Sequence, residues 1–225
     1  MLGSVASGAC ADGAKALFYT PEGSSVMPKT SAPAEAGRAP RNGATAQTGE
    51  RFLGIKYSIE LVKPDGSRYD VVPEYIFQSG DRIKIRVETN RDGYLYLVNV
   101  GSTGRYHLLF PHPRLAGGSN AVKARTVYDI PYGAYIRFDA NPGDETLLIV
   151  LSPGPMSGLP TPDVRTRTLT EAEGQRLVKT AQLRGAKDLT LEIDSGPEPA
   201  GYAVAPLSTL GEQVSIVLEI KLRHR

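Results

Sequence analysis

Residues 81–113 read DRIKIRVETNRDGYLYLVNVGSTGRYHLLFPHP, three runs of strand-forming residues separated by two turn-forming tetrapeptides. Arg82, Lys84 and Arg86 alternate with Ile83, Ile85 and Val87, the period of a strand with one wet face. Residues 94–100 are apolar on both faces, as in a strand flanked on each side, and residues 105–110 make a third run. Asn90-Arg91-Asp92-Gly93 and Gly101-Ser102-Thr103-Gly104 tolerate positive φ, so the spacing predicts two tight hairpins joining three consecutive antiparallel strands. A chain holding such a stretch is most readily a β-sandwich.

The flanking sequence repeats the pattern. Residues 53–62 alternate and end in Lys63-Pro64-Asp65-Gly66, a turn signature, after which residues 69–72 return as a partner strand that Pro73 confines to an edge. Residues 121–130, 134–138 and 146–151 read as further strands. About eight short strands at roughly 8–12-residue spacing is the sandwich pattern. Residues 168–184 are the one good helix candidate, with Thr170 and Glu173 spaced as a capping box and Leu177, Val178 and Ala181 as a narrow apolar stripe. Gly174 costs that helix about 1 kcal/mol relative to Ala. Residues 189–193, 201–206 and the strongly apolar 214–222 read as strands, the last pairing inside the sandwich beside 52–62 or 146–151. The expected fold is therefore mainly β, an immunoglobulin-like antiparallel sandwich over residues 51–225 with one short C-terminal helix.

Ahead of that domain the composition changes. Residues 20–50 are rich in Pro, Ala, Gly, Ser and Thr and nearly free of large apolar residues, the signature of a mobile linker. Residues 14–19 (AKALFY) form a short apolar patch, expected as one helical turn or an edge strand docked on the domain. Residues 1–9 carry no positive charge and no long apolar core, so they do not make a complete signal peptide. Ser7-Gly8-Ala9-Cys10 nonetheless has the small residues that precede a lipidated cysteine, which makes Cys10 a candidate lipid-anchor site beside its plainer reading as an ordinary leader cysteine.

Several functions are argued against. Net charge is +2 with both signs interspersed, so no dense basic stripe is available for nucleic acid. The single cysteine rules out an intrachain disulfide and a thiolate zinc site. No apolar run approaches the ~20 residues of a membrane-spanning helix. His107 and His112 lack a third ligand nearby, and His224, next to the terminus, is expected in solvent. Asp65, Asp81, Asp92 and Asp144 sit at turns, where side chains bond local amides. Gly101, Gly104, Gly117 and Gly118 precede strands rather than helix N-termini, which leaves phosphate cradling unsupported. With no Gly-x-Ser-x-Gly elbow and no positioned base for Cys10, no nucleophile stands out, and neither an enzyme nor a cofactor is expected.

Phe77-Gln78-Ser79-Gly80-Asp81-Arg82-Ile83, then Asn90-Arg91-Asp92-Gly93-Tyr94-Leu95-Tyr96, then Leu109-Phe110-Pro111, then Ile130-Pro131 together resemble the bacterial domain of unknown function 4384 family. The likeness covers residues 77–151, with His112 in place of the Asn that usually follows Phe-Pro. The leader, the linker and the closing VLEIKLRH are similar to those of secreted, acidobacterial-type members. The resemblance implies an exported module, periplasmic, secreted or lipid-anchored, rather than a reaction.

What remains for function is surface. Tyr94, Tyr96 and Tyr106 are expected on one sheet face, with Tyr128, Tyr132 and Tyr135 around a later turn, a set suited either to a binding platform or to covering the core. Arg82, Lys84 and Arg86 form a row that either meets an acidic polymer or is a solvated edge. The expected function is a non-enzymatic interaction or assembly module with a protein partner. A carbohydrate-binding module using the tyrosines is the alternative.

Overall fold

The computed structural model describes residues 13–20, 51–155, 168–183, 185–210 and 214–225. Helix α1 (Ala14–Tyr19) comes first, followed by the long strand β1 (Phe52–Val62), β2 (Arg68–Val71), β3 (Ile76–Phe77), β4 (Arg82–Thr89), β5 (Gly93–Val100) and β6 (Tyr106–Phe110). Past a short 3-10 turn lie β7 (Ala121–Val122), β8 (Val127–Ile130), β9 (Ile136–Arg137) and β10 (Glu145–Ser152). The C-terminal third supplies β11 (Thr168–Leu169), α2 (Glu171–Leu183), β12 (Thr190–Asp194), β13 (Ala200–Pro206) and β14 (Ile216–His224).

These strands form a β-sandwich of two seven-stranded sheets. The first runs β12-β13-β1-β4-β8, with β2 also beside β1 and β9 beside β4; the second runs β11-β6-β5-β10-β14-β3, with β7 beside β5. Every pairing is antiparallel except β3 with β14. Alternation decides what each sheet buries. In β4, Ile83, Ile85 and Val87 point inward while Arg82, Lys84 and Arg86 stay half-exposed on the outer face. In β5 the inward set is Leu95 and Leu97, and Leu97 sits directly across from Ile149 of β10 in the middle of the core. Closing strand β14 pairs with β10 along Ile216 to Leu222, and β13 pairs with β1, so segments distant in sequence complete both sheets.

Each sheet also has a helix on its outside. Helix α2 lays Leu177 and Ala181 on Tyr96, Val98, Leu108, Leu148 and Val150 of the second sheet. Its start carries the expected capping box: the Thr170 N–H and hydroxyl both donate to Glu173 Oε2 at 2.8 Å, and the Glu173 N–H donates to Thr170 Oγ1 at 3.3 Å. Gly174 stands over Tyr106, where an added Cβ would lie 2.2 Å from the ring. Glycine there is a packing requirement as well as a helix-propensity loss. The AKALFY patch is a helix, and α1 buries Ala14, Leu17 and Phe18 against Ala200, Tyr202 and Val204 of the first sheet.

Several expectations are corrected. The 81–113 stretch is not a three-stranded meander, because β4 pairs with β1, β8 and β9 whereas β5 pairs with β6, β7 and β10. The Asn90–Gly93 tetrapeptide carries the chain from one sheet to the other. Asn90 bonds to β1 instead of closing a turn: its Oδ1 accepts the Gly54 N–H at 2.7 Å and its Nδ2 donates to Phe52 O at 3.1 Å. Gly93 is there for close approach, since a Cβ would meet Ser152 O at 2.9 Å. The β5–β6 connection is the expected hairpin, with Gly104 at φ 76 and the Gly104 N–H donating to Gly101 O at 2.8 Å. Residues 121–130 form two strands in different sheets rather than one, parted at Arg125, whose φ is 59. His224 is buried, its ring 5.2 Å from that of Phe138 and Nε2 3.3 Å from Ser79 Oγ, because it continues the inward alternation of β14. Cys10 and residues 21–50 of the expected linker lie outside the described residues.

Candidate functional site

The tyrosines singled out in the sequence do not gather into one platform. Tyr94 and Tyr96 share the outer face of the second sheet with Tyr106, but Tyr96 and Tyr106 pack into the apolar layer under α2. Burial raises the Tyr96 hydroxyl above its ordinary pKa. Tyr128 is an inward core residue, edge-on to Phe110, with its hydroxyl accepting the Lys123 N–H at 2.9 Å. Tyr132 is exposed and lies against His112 and Arg114. Tyr135 carries the Arg82 guanidinium and the Lys84 ammonium, each 5.2 Å from its centroid, and accepts Arg68 Nη2 at 3.2 Å. As binding residues Tyr96, Tyr106 and Tyr128 are thus corrected to structural ones, because their rings fill apolar layers.

The basic row divides in the same way. Arg86 is paired with Asp70 on the neighbouring hairpin, so it is committed within the sheet. Arg82 and Lys84 make no ion pair among the described residues and lean on Tyr135 instead. Tyr135 therefore joins the row to what lies beyond it.

Beyond it is a cleft of about 680 Å³ at one end of the space between the sheets. One wall comes from the second sheet, where Asn99 of β5, His107 of β6 and Glu145 of β10 continue the inward faces that bury Leu97, Phe110 and Leu147 deeper in. The other wall comes from Ala134, Tyr135, Ile136 and Arg137, on and before β9 of the first sheet. Ser102, Thr103 and Arg105 of the β5–β6 turn and Asp139 and Asn141 complete the rim. The inter-sheet space is apolar in its middle and turns polar at this mouth, within the size range typical of ligand pockets.

Asn99 is the unusual residue of the cleft. It is 7 % exposed, and its Nδ2 donates to Glu145 Oε2 at 2.8 Å. That bond fixes the amide orientation, since the reverse would set a carbonyl against a carboxylate. Oδ1 is then a buried acceptor with no partner among the described residues. Such a group costs roughly 1–3 kcal/mol while it stays unpaired.

The charges of the cleft are unequal in availability. Asp139 accepts the Asn141 N–H at 2.7 Å, which holds its carboxyl below the usual range, and Glu145 is engaged by Asn99. Arg105 and Arg137, by contrast, form no ion pair among the described residues, like Arg82 and Lys84 next to them. Among the described residues no three His, Cys, Asp or Glu side chains gather to hold a metal ion. No helix among them is long and apolar enough to cross a membrane.

Sequence reading missed Asn99, Arg105, Arg137 and Glu145. The available signal was parity. Asn99 follows Leu95 and Leu97 on the inward face, so a polar amide was due to enter the space between the sheets. No curated protein and no solved structure matches the chain. Residues 76–155 match the family model described as domain of unknown function (DUF4384). That segment runs from β3 through β10 and contains every residue that lines the cleft, so the part of the chain that builds the candidate site is the part that is similar to this family.

Proposed function

We propose that this chain is a non-enzymatic recognition or assembly module of the bacterial cell envelope or secreted space, and that it holds a protein partner at the end cleft. The observation that carries the reading is Asn99 Oδ1, a buried acceptor without a partner among the described residues in a polar cleft, at an edge of the core where a hydrophobic residue would leave no acceptor unpaired. Polar groups retained at such a position are explained by a ligand that supplies the missing donor. Support for placement outside the cytoplasm comes from the resemblance of the leader and closing strand to exported proteins and from the small residues before Cys10. A sugar-binding reading has less support, because Tyr96, Tyr106 and Tyr128 are occupied in packing and the Tyr135 ring is taken by two cations.

The test is site-specific photo-cross-linking in cells that produce the protein. A photoreactive residue at position 103, on the rim, should give one discrete protein adduct, and the same residue at position 183, exposed at the end of α2, should give none. Equal labelling at both positions, or none at 103, overturns the reading. Saturable binding on a glycan array by the folded chain would replace it with the carbohydrate alternative.

A further inference from the structure

The cleft also indicates what kind of partner it takes. Resting on the reading of the end cleft as the recognition site, we infer that its ligand is an acidic peptide segment, with a side-chain carboxylate held by Arg105 and Arg137 and a peptide N–H donated toward Asn99. Three observations lead there. First, cations are in excess and unpaired: Arg105 and Arg137 in the cleft, with Arg82 and Lys84 alongside, make no ion pair among the described residues, against two carboxylates, Asp139 and Glu145, each of which already accepts a hydrogen bond from an asparagine. An incoming carboxylate therefore meets unpaired guanidinium groups, whose planar fork matches it bidentately.

Second, the orphan group at the floor is an acceptor. It calls for a donor, which an extended peptide presents beside its acidic side chains. A sulfate or a phosphomonoester dianion has no donor to offer it. Third, the Tyr135 ring already carries Arg82 and Lys84, each 5.2 Å from its centroid, so a neutral sugar would have to compete with two cations to stack there. The mouth is about 680 Å³, enough for a few residues of extended chain rather than for a whole domain.

The experiment selects a phage-displayed random dodecapeptide library on the full chain. Enriched clones are made as labelled peptides and measured by fluorescence anisotropy, with polygalacturonate as a separate ligand. Binding is compared between the native chain, R105E/R137E, N99L and K187E, the last a surface charge change away from the cleft. Arg105 and Arg137 are both exposed, so the double variant should melt as the native chain does and stays informative even where N99L is too unstable to use. The expected result is enrichment of Asp- and Glu-containing peptides whose affinity falls at least tenfold in R105E/R137E, falls as salt rises, and is unchanged in K187E. Neutral or basic peptides that lose binding in N99L would overturn the acidic ligand and keep the cleft as the recognition site. Peptides indifferent to every cleft variant, or no enrichment at all, would overturn both. Polygalacturonate bound more tightly than any peptide, through the same arginines, would overturn the peptide in favour of an acidic polysaccharide.

Discussion

The two sheets turn opposite kinds of surface outward. The outer face of the second sheet carries Tyr96, Val98, Leu148 and Val150 and is sealed by α2, whereas that of the first carries Lys56, Glu60, Arg82, Lys84 and Arg86 and is roofed by α1 only along β12, β13 and the start of β1. Both sheets bury the inner faces of their central strands, although Leu191 and Ile193 at the β12 edge of the first stay exposed, so across those central strands the difference lies in the alternate residues. Where those are apolar, the chain must supply a second cover. Where they are charged, they can pair with one another, as Arg68 does with Glu60 and Arg86 with Asp70, and stay wet. The charged face therefore leaves its margin next to the cleft available for an external ligand, and the apolar face does not.

This contrast can be broken most severely at α2. Leu177 is fully buried at the centre of the sealed face, and Leu177→Ala is expected to lower unfolding free energy in urea by about 2–5 kcal/mol. Gly174→Ala should also destabilise, by on the order of 1–3 kcal/mol, although alanine is the better helix former. Its Cβ would overlap the Tyr106 ring, and stabilisation instead would show that α2 can lift freely. On the other face Phe18→Ala should cost the whole protein less, on the order of 1 kcal/mol, because a six-residue helix can undock while the sheets stay folded. Hydrogen exchange should then rise in Tyr202 and Val204 and stay unchanged in β10.

Smaller effects sharpen the comparison. A double-mutant cycle on Arg86 and Asp70 should give a coupling of about 0.2–1 kcal/mol that shrinks in high salt, since both side chains are partly exposed. The smallest effect concerns acid. Hydrogen bonds from the Thr170 hydroxyl and N–H hold the Glu173 carboxyl below its ordinary pKa. The cap is therefore fully present above the ordinary carboxylate range and is lost as pH falls through the lowered value. Glu173→Gln should flatten the acid dependence of melting temperature between those limits, and an unchanged slope would remove the cap from the account of α2.

Much of this was legible in the sequence, for reasons tied to particular residues. The alternation in 82–87 named the inward and outward sets of β4 correctly, and the apolar run 214–222 implied a strand beside β1 or β10, of which the structure selects β10. Asn99 and His224 were readable by the same parity, each two residues beyond an inward aliphatic, but were passed over as a member of an apolar run and as a terminal residue. The helix at AKALFY and the sheet change at Asn90–Gly93 were not readable locally. Six residues do not specify helix over strand until a surface is there to cover, and a turn-forming tetrapeptide serves a crossing as well as a hairpin.

By itself the sequence determined the longer strands, which side of each faces inward, and where α2 is capped, because periodicity and capping depend on neighbours along the chain, but it did not part β7 from β8 or β11 from α2. Only the tertiary structure decided which sheet each strand joins. Both sheets require the same apolar inner face, so alternation that satisfies one satisfies the other. The cleft follows from that choice: Asn99, Arg105, Arg137 and Glu145 come together because β5, β6 and β10 share one sheet while β9 faces them from the other.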